Sequence, residues 1–145
     1  MFKHLLIPTD GSDLSQVAVA NGVQFARDIQ ARVTGLTVTT PYHYVTYNNI
    51  QMVQTEEQFQ EEMRHMAQRN LQYLQREAEV CGVPCELLSA VSDHPYEEIV
   101  RTAEEQGCDV IFMASHGRRG LRALLMGSET QKVLTHTKIP VVVYR

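Results

Sequence analysis

The sequence predicts an α/β domain: a single doubly wound, five-stranded parallel sheet in the order 3-2-1-4-5, with helices on both faces. Two observations carry this. Short β-branched or apolar runs alternate along the whole chain with longer segments of helical periodicity. The short runs are also nearly unbroken in hydrophobicity, as expected of strands buried on both faces. The 145 residues suit one domain, 1–145, with a core of its own, and no linker-like tract, low-complexity segment or internal repeat divides them.

The elements follow in order. His4-Leu-Leu-Ile-Pro8 is a short apolar run closed by proline, the first strand. Asp10-Gly11-Ser12 brings turn and capping chemistry, after which Leu14, Ala18, Gly22, Phe25 and Ile29 recur on one helical stripe. Val33 to Thr39 is β-branched and forms the second strand. Thr40 to Thr55 is irregular, with Pro41, three tyrosines, Asn48-Asn49 and no formal charge while His43 is neutral. A long amphipathic helix starts at Glu56, with Phe59, Met63, Ala67, Leu71, Leu74, Ala78 and Cys81 on its buried face and Gly82 as its stop. Cys85 to Val91 is the third strand. Asp93-His-Pro-Tyr-Glu-Glu opens a short helix with Ile99 and Val100 inward, closing at Gly107. Asp109 to Met113 is the fourth strand, Ser128 to Thr137 a helix, and Ile139 to Tyr144 the fifth strand.

Winding outward from strand one to strands two and three, the chain must cross back to set strand four beside strand one. The order then reverses between strands one and four, and ligands of such sheets bind at the strand carboxyl ends where this happens. The polar, turn-forming residues sit at those two ends: Pro8-Thr9-Asp10-Gly11-Ser12 and Ala114-Ser-His-Gly117. Nine residues after Gly117 come Gly127 and Ser128, opening a helix. Glycines permit close backbone approach and positive φ, and a helix N-terminus presents N–H groups to an anion, so the segment reads as a two-part phosphate cradle.

Composition narrows the function classes. A net charge of −4 speaks against a general nucleic-acid binder. From Ile111 onward, however, Arg118, Arg119, Arg122, Lys132, Lys138 and Arg145 face Glu129 alone, so the cradle segment is basic. Cys81, Cys85 and Cys108 are odd in number, and Cys81 and Cys85 lack further ligands at metal-site spacing; they read as small structural thiols. No apolar run reaches membrane-span length and no secretory signal opens the chain, so a cytoplasmic protein without membrane attachment is expected.

The chain resembles the universal stress protein family over essentially its whole length. Leu6-Ile-Pro-Thr-Asp-Gly-Ser12, the segment Met113 to Leu134 and Ile139-Pro-Val-Val-Val143 carry the resemblance. The ATP-binding branch of that family is known by G-x2-G-x9-G-S/T; here it stands as Ala114-x2-Gly117-x9-Gly127-Ser128, with alanine at the first position. The resemblance implies a pocket for ATP or another adenine nucleotide, with Mg²⁺ as companion ion, and a homodimer through the strand Ile139–Tyr144. It places Pro8, Thr9 and Asp10 at the pocket and Val38 against the adenine. Met113, Ala114, Gly117, Gly127, Ser128, Glu129 and Thr130 fall around the phosphates and ribose. Alanine adds one methyl group and is tolerated at position 114 where neither positive φ nor the closest backbone approach is needed. A bare apolar edge strand invites pairing, which agrees with the implied dimer.

Each site residue also has a plainer reading. Asp10 is either a pocket residue or a turn former; Ser128 contacts phosphate or caps a helix; His116 is an acid/base group or shapes its loop. The three arginines reach a phosphate or lie in solvent, His94 before Pro95 is turn structure, and the Tyr42–Tyr47 segment is a lid, a partner surface or core. No G-x4-G-K-S/T occurs, so the chain is not a P-loop NTPase. A regulatory nucleotide binder is the leading reading. Slow ATP hydrolysis or nucleotidyl transfer, and a ligand-free dimeric interaction module, are the alternatives; no catalytic residue is assigned.

Overall fold

The computed structural model describes residues 1–43, 54–117 and 125–145. Their elements run β1 (His4–Pro8), α1 (Asp13–Asp28), β2 (Arg32–Thr39), α2 (Glu56–Cys81), β3 (Cys85–Val91), α3 (Pro95–Glu105), β4 (Val110–Ala114), α4 (Ser128–His136) and β5 (Val141–Tyr144). The strands pair in parallel in the order β3-β2-β1-β4-β5, as the sequence predicts.

Strand side chains point alternately to the two faces, so each central strand feeds two cores. Leu5, Ile7, Val33, Val110, Phe112 and Ala114 pack with Val19 and Val23 of α1 and Leu74 of α2. Leu6, Leu36, Ile111 and Met113 pack with Ile99 and Ala103 of α3 and Val133 of α4. Two buried polar side chains of the central strands bond to each other. His4 Nε2 lies 2.7 Å from Thr34 Oγ1, and burial holds its imidazole below the ordinary histidine pKa. Cys81 and Cys85 are half-buried and Cys108 is buried; burial pushes the Cys85 and Cys108 thiols up to about 11, so both are neutral at pH 7.

Three helices end in the same device. Ala31, Val83 and Cys108 each donate an N–H five residues back, to the carbonyls of Ala26, Ala78 and Ala103, across a left-handed residue at 30, 82 or 107. In each case the residue after the left-handed one turns into the core. This is the Schellman arrangement. Gly82 and Gly107 suit it, and both were legible as helix stops. The third position is Gln30 at φ 56°, where a Cβ is strained. Gln30→Gly is expected to stabilise the fold by about 1 kcal/mol, raising the thermal midpoint by about 2–4 °C. An unchanged or lower midpoint in a thermal melt would contradict this.

The helix faces match the sequence expectation only in part. On α1 the buried residues are Ser15, Ala18, Val19, Gly22, Val23 and Ala26, while Leu14, Phe25 and Ile29 are half-buried. The small residues let the helix lie close to the sheet, and the larger ones flank the contact. On α2, Leu74 and Ala78 are buried as expected, but Phe59, Met63, Ala67, Leu71 and Cys81 are half-buried and the third buried residue is Asn70. The 26-residue helix, rising about 1.5 Å per residue, outruns the eight-residue strand β2 at about 3.3 Å per residue, so its first turns extend past the sheet. On α3, Ile99 is buried while Val100 is half-buried.

Two strand boundaries also move. β4 runs Val110–Ala114 rather than Asp109–Met113, because the Asp109 carboxylate accepts from the Lys3 and His4 N–H groups and anchors the strand's entry. β5 begins at Val141, not Ile139. Pro140 has no N–H to give a ladder and contributes only its carbonyl, to Ile111.

Candidate functional site

The sheet opens where its order reverses. β1 and β4 pair at Leu5–Val110 and Leu6–Ile111, yet the strands run on to Pro8 and Ala114. Beyond these pairs the chain leaves β1 for α1 on one face and leaves β4 for α4 on the other. A crevice at the strand carboxyl ends follows from that divergence.

The turn after β1 is fixed by hydroxyls. Thr9 Oγ1 and Ser15 Oγ are 2.7 Å apart. The Gly11 N–H donates to Thr9 Oγ1 at 3.2 Å and the Asp10 N–H to Ser15 Oγ at 3.3 Å. The Ser12 N–H donates to Asp10 Oδ1 at 3.0 Å, and Ser12 Oγ caps α1 by accepting from the Ser15 N–H at 3.3 Å. Asp10 is therefore both turn former and crevice residue. The main-chain N–H groups of Asp10, Gly11 and Ser12 are taken up within the turn, so what this side offers is a carboxylate.

The segment after β4 meets it directly. A Cβ on Gly117 would lie 2.2 Å from Asp10 Oδ2. No side chain fits there without moving the carboxylate, so glycine brings the two loops together. Gly127 is likewise a matter of space. A Cβ would stand 2.9 Å from the His116 Cα and 3.2 Å from the Ser115 carbonyl oxygen, to which the Gly127 N–H donates at 2.7 Å. Of the two properties the sequence reading offered, both glycines use close approach and neither uses positive φ; Gly127 sits at −61°. Bulk at Gly127 would strike the protein's own backbone before any ligand.

Gly127 is the N-cap of α4 and supplies no capping side chain. Ser128, exposed at the first helical position, is thus not the cap that the sequence allowed. Thr130 and Glu129 have structural duties that the sequence did not show. Thr130 is buried and its hydroxyl donates to the Ala114 carbonyl at 3.0 Å. Glu129 reaches across to α3, accepting from the Tyr96 N–H at 3.0 Å and pairing with Lys132 at 3.3 Å. His94 precedes α3 without a capping side chain, so Glu129 serves that helix end instead. What these two can direct at the crevice is main chain.

Ala114 is a regular strand residue whose methyl group packs in the α1–α2 core. The alanine is accommodated because this position needs no left-handed backbone. Met113 is buried on the opposite face, Val38 is half-buried against the same core, and Pro8 is the last residue of β1. His116 is half-buried, with Nδ1 3.3 Å from Ser115 Oγ, and its backbone forms the floor beneath Gly127. It shapes the loop. Arg118, Arg119 and Arg122, and Tyr44 and Tyr47, lie outside the described residues. The Tyr42 ring lies 5.6 Å from that of Phe59 of α2, tilted at 57°.

Sequence reasoning missed Ser15, Thr37 and Asn70, three buried polar residues tied to the Asp10 turn. Thr37 donates to the Thr9 carbonyl at 2.8 Å, and Asn70 Nδ2 donates to Thr37 Oγ1 at 3.2 Å. Asn70 stands four residues before Leu74 in the apolar stripe of α2, which was the available signal. A cavity of about 420 Å³ at the opposite end of the sheet is lined by Lys3, Arg27, Gln30, Arg32 and Gly82. Of its cations, Arg27 lies in the last turn of α1, where a positive charge offsets the helix dipole. Among the described residues, no helix is long and apolar enough to cross a membrane.

Comparisons with known proteins agree with this architecture. A model of the universal stress protein family matches residues 1–145. Universal stress protein MJ0531 of Methanocaldococcus jannaschii is 31% identical over 147 residues, spanning 100% of this chain and 83% of that protein. The solved structure of MJ0577, from the same organism, superposes with a TM-score of 0.80 at 30% identity, covering 99% of this chain and 95% of that one. Two more distant structures share the fold. One is a universal stress protein in complex with cAMP (TM-score 0.70, 20% identity, 99% and 97% covered). The other is a universal stress protein from Archaeoglobus fulgidus in complex with dAMP (TM-score 0.69, 17% identity, 100% and 98% covered). With the family model matched from first residue to last and the fold shared, this chain belongs to the universal stress protein family.

Proposed function

We propose that the protein binds an adenine nucleotide, ATP or a close relative, as a regulatory ligand in the crevice between β1 and β4. The approach of Gly117 to the Asp10 carboxylate is the observation that carries this reading. It joins the two loops at the switch point, with no side chain on the Gly117 side of the contact. From there the chemistry divides by group. The first turn of α4, following a capless Gly127, offers main-chain N–H groups of Ser128, Glu129 and Thr130 to phosphate. Asp10 offers a carboxylate, the acceptor that ribose hydroxyls or an adenine amine require. Pro8, Thr9, Val38, Met113 and Ala114 form the strand ends against which the base and sugar rest.

Mg²⁺ fits as an ion carried in with the nucleotide. Magnesium keeps most of its waters and is held through one or two carboxylates plus phosphate oxygens, which is what Asp10 opposite the α4 N-terminus provides. Relatives of the same fold bound to cAMP and dAMP support the adenine base and a single phosphate as sufficient for binding. The regulatory role rests on what the crevice residues already do: Glu129 and Thr130 hold the fold, and His116 braces the loop. Side chains so committed to the fold leave positioning as the main contribution, and positioning alone accelerates little.

The homodimer is proposed through β5. Val141–Tyr144 is the sheet's outer strand, and all four residues are half-buried in the single chain. Antiparallel pairing with a second copy would satisfy its free edge. Light scattering at micromolar concentration should give the dimer mass. For the ligand, mass spectrometry of gently purified protein should find a retained adenine nucleotide, and calorimetry should show one site per chain for ATP with GTP weaker. Absence of both retained nucleotide and adenine-nucleotide heat would overturn the reading.

A further inference from the structure

We propose that Thr37 and Asn70 are positioning residues for the Asp10 turn, and that through it they set nucleotide affinity; the inference rests on the nucleotide reading above. Helix α2 descends along β2 in matched steps. Leu74 sits over Gly35 and Asn70 over Thr37, one helical turn of four residues against two strand residues. Those steps are about 6.0 and 6.6 Å, so the register holds from one level to the next. At Gly35 the contact is apolar. One level up it becomes polar, in a place where an aliphatic pair would fit as well.

The reason lies at the end of β1. Its ladder to β2 covers His4–Pro8, and the Thr9 N–H still donates to the Leu36 carbonyl at 2.8 Å. The Thr9 carbonyl takes its hydrogen bond from a side chain, the Thr37 hydroxyl, at 2.8 Å. That hydroxyl has one hydrogen and spends it there. Asn70 Nδ2 then donates to the Thr37 oxygen at 3.2 Å and fixes which way the hydroxyl points. Thr9, Thr37 and Asn70 are 6%, 0% and 7% exposed, so the chain of bonds is shielded from competing water.

From Thr9 the same chain continues into the turn. Thr9 Oγ1 and Ser15 Oγ receive the Gly11 and Asp10 N–H groups, and Asp10 Oδ1 receives the Ser12 N–H. Four segments thus hold one carboxylate against Gly117: α2, β2, the turn itself and α1. Fully satisfied buried networks rigidify what they join, and removing one member leaves the others free to reorient. A turn that wanders costs affinity because the ligand must then order it.

The test uses the full chain and ATP with Mg²⁺ as probe. Thr37→Val keeps the shape and removes the donor; Thr37→Ser restores it; Asn70→Leu removes the second link. Val83→Ala, at the far end of the sheet, is the control for general loss of stability. Thr37→Val should raise the ATP Kd about tenfold and Asn70→Leu several-fold, with Thr37→Ser recovering binding. Amide exchange at Gly11 and Ser12, measured without nucleotide, should quicken about tenfold in Thr37→Val and stay unchanged in Val83→Ala. The proposal is overturned if Thr37→Val and Val83→Ala behave alike in both readouts, or if Thr37→Ser binds as weakly as Thr37→Val. Should the wild type bind no nucleotide, the nucleotide reading falls and exchange alone decides. Unchanged Gly11 and Ser12 exchange in Thr37→Val then overturns the positioning role as well.

Discussion

Gly117→Ala should weaken adenine-nucleotide binding about 10- to 100-fold while leaving the fold nearly as stable as the wild type. The added Cβ would lie 2.2 Å from Asp10 Oδ2 and 3.2 Å from its Cγ. Asp10 is short, and its other oxygen already holds the Ser12 N–H, so the carboxylate cannot simply swing aside. It moves with its turn, and the ligand loses a charged acceptor whose bonds are worth about 1.5–3 kcal/mol each. Gly127→Ala should behave differently. Its Cβ meets the His116 Cα at 2.9 Å, which is backbone, so the loop itself must shift. That variant should lose stability and affinity together. Calorimetry with ATP, read beside thermal melts, separates the two patterns. Wild-type affinity in Gly117→Ala would remove the crevice from consideration as the nucleotide site.

The difference between these glycines marks where sequence reading stops. Their spacing and their place after strand four are properties of the chain and were legible. So was Asp10 across the crevice, because apolar runs and glycine stops are enough to order the strands. Whether a glycine serves dihedral freedom or closeness depends on what stands opposite it, and that is set by the tertiary packing. Asp10 confronts Gly117 and the His116 backbone confronts Gly127. Glu129 and Thr130 show the same limit. Their positions in the motif suggested ligand contacts, yet the α3 N-terminus and the Ala114 carbonyl claim their side chains. Neighbours distant in sequence decide such roles.

Helix faces were legible only in part for a related reason. On α1 the expected stripe is buried at Ala18 and Gly22, while its large members Leu14, Phe25 and Ile29 are half-buried at the flanks. The tightest contact is made by the small ones: a Cβ on Gly22 would come within 2.9 Å of both Ile7 Cδ1 and Phe112 Cδ1. Asn70 was passed over because a lone amide in an apolar stripe carries no sign of its partner. Thr37, 33 residues away in sequence, supplies it on another element.

The same closeness between α2 and β2 predicts a pair of core variants that compensate. Gly35 faces Leu74: a Cβ there would stand 2.8 Å from Leu74 Cδ1, 3.0 Å from Cδ2 and 3.1 Å from Leu87 Cδ2. Gly35→Ala alone overpacks this contact and should cost about 1–3 kcal/mol. Leu74→Ala alone empties it; Leu74 is fully buried, and the cavity left should cost about 2–5 kcal/mol, a large part of a typical domain's total stability. The double variant removes the atoms that Gly35→Ala strikes and returns one methyl group to the vacated space. Its loss should therefore fall short of the sum by about 1 kcal/mol or more, whereas distant pairs add. Denaturant unfolding of the four proteins, with equal m-values, measures that coupling directly. A strictly additive double variant would mean that α2 shifts away from β2 when position 35 is filled. In that event the Asn70–Thr37 contact one turn above would be lost too, and ATP affinity would drop in Gly35→Ala, a position with no ligand near it.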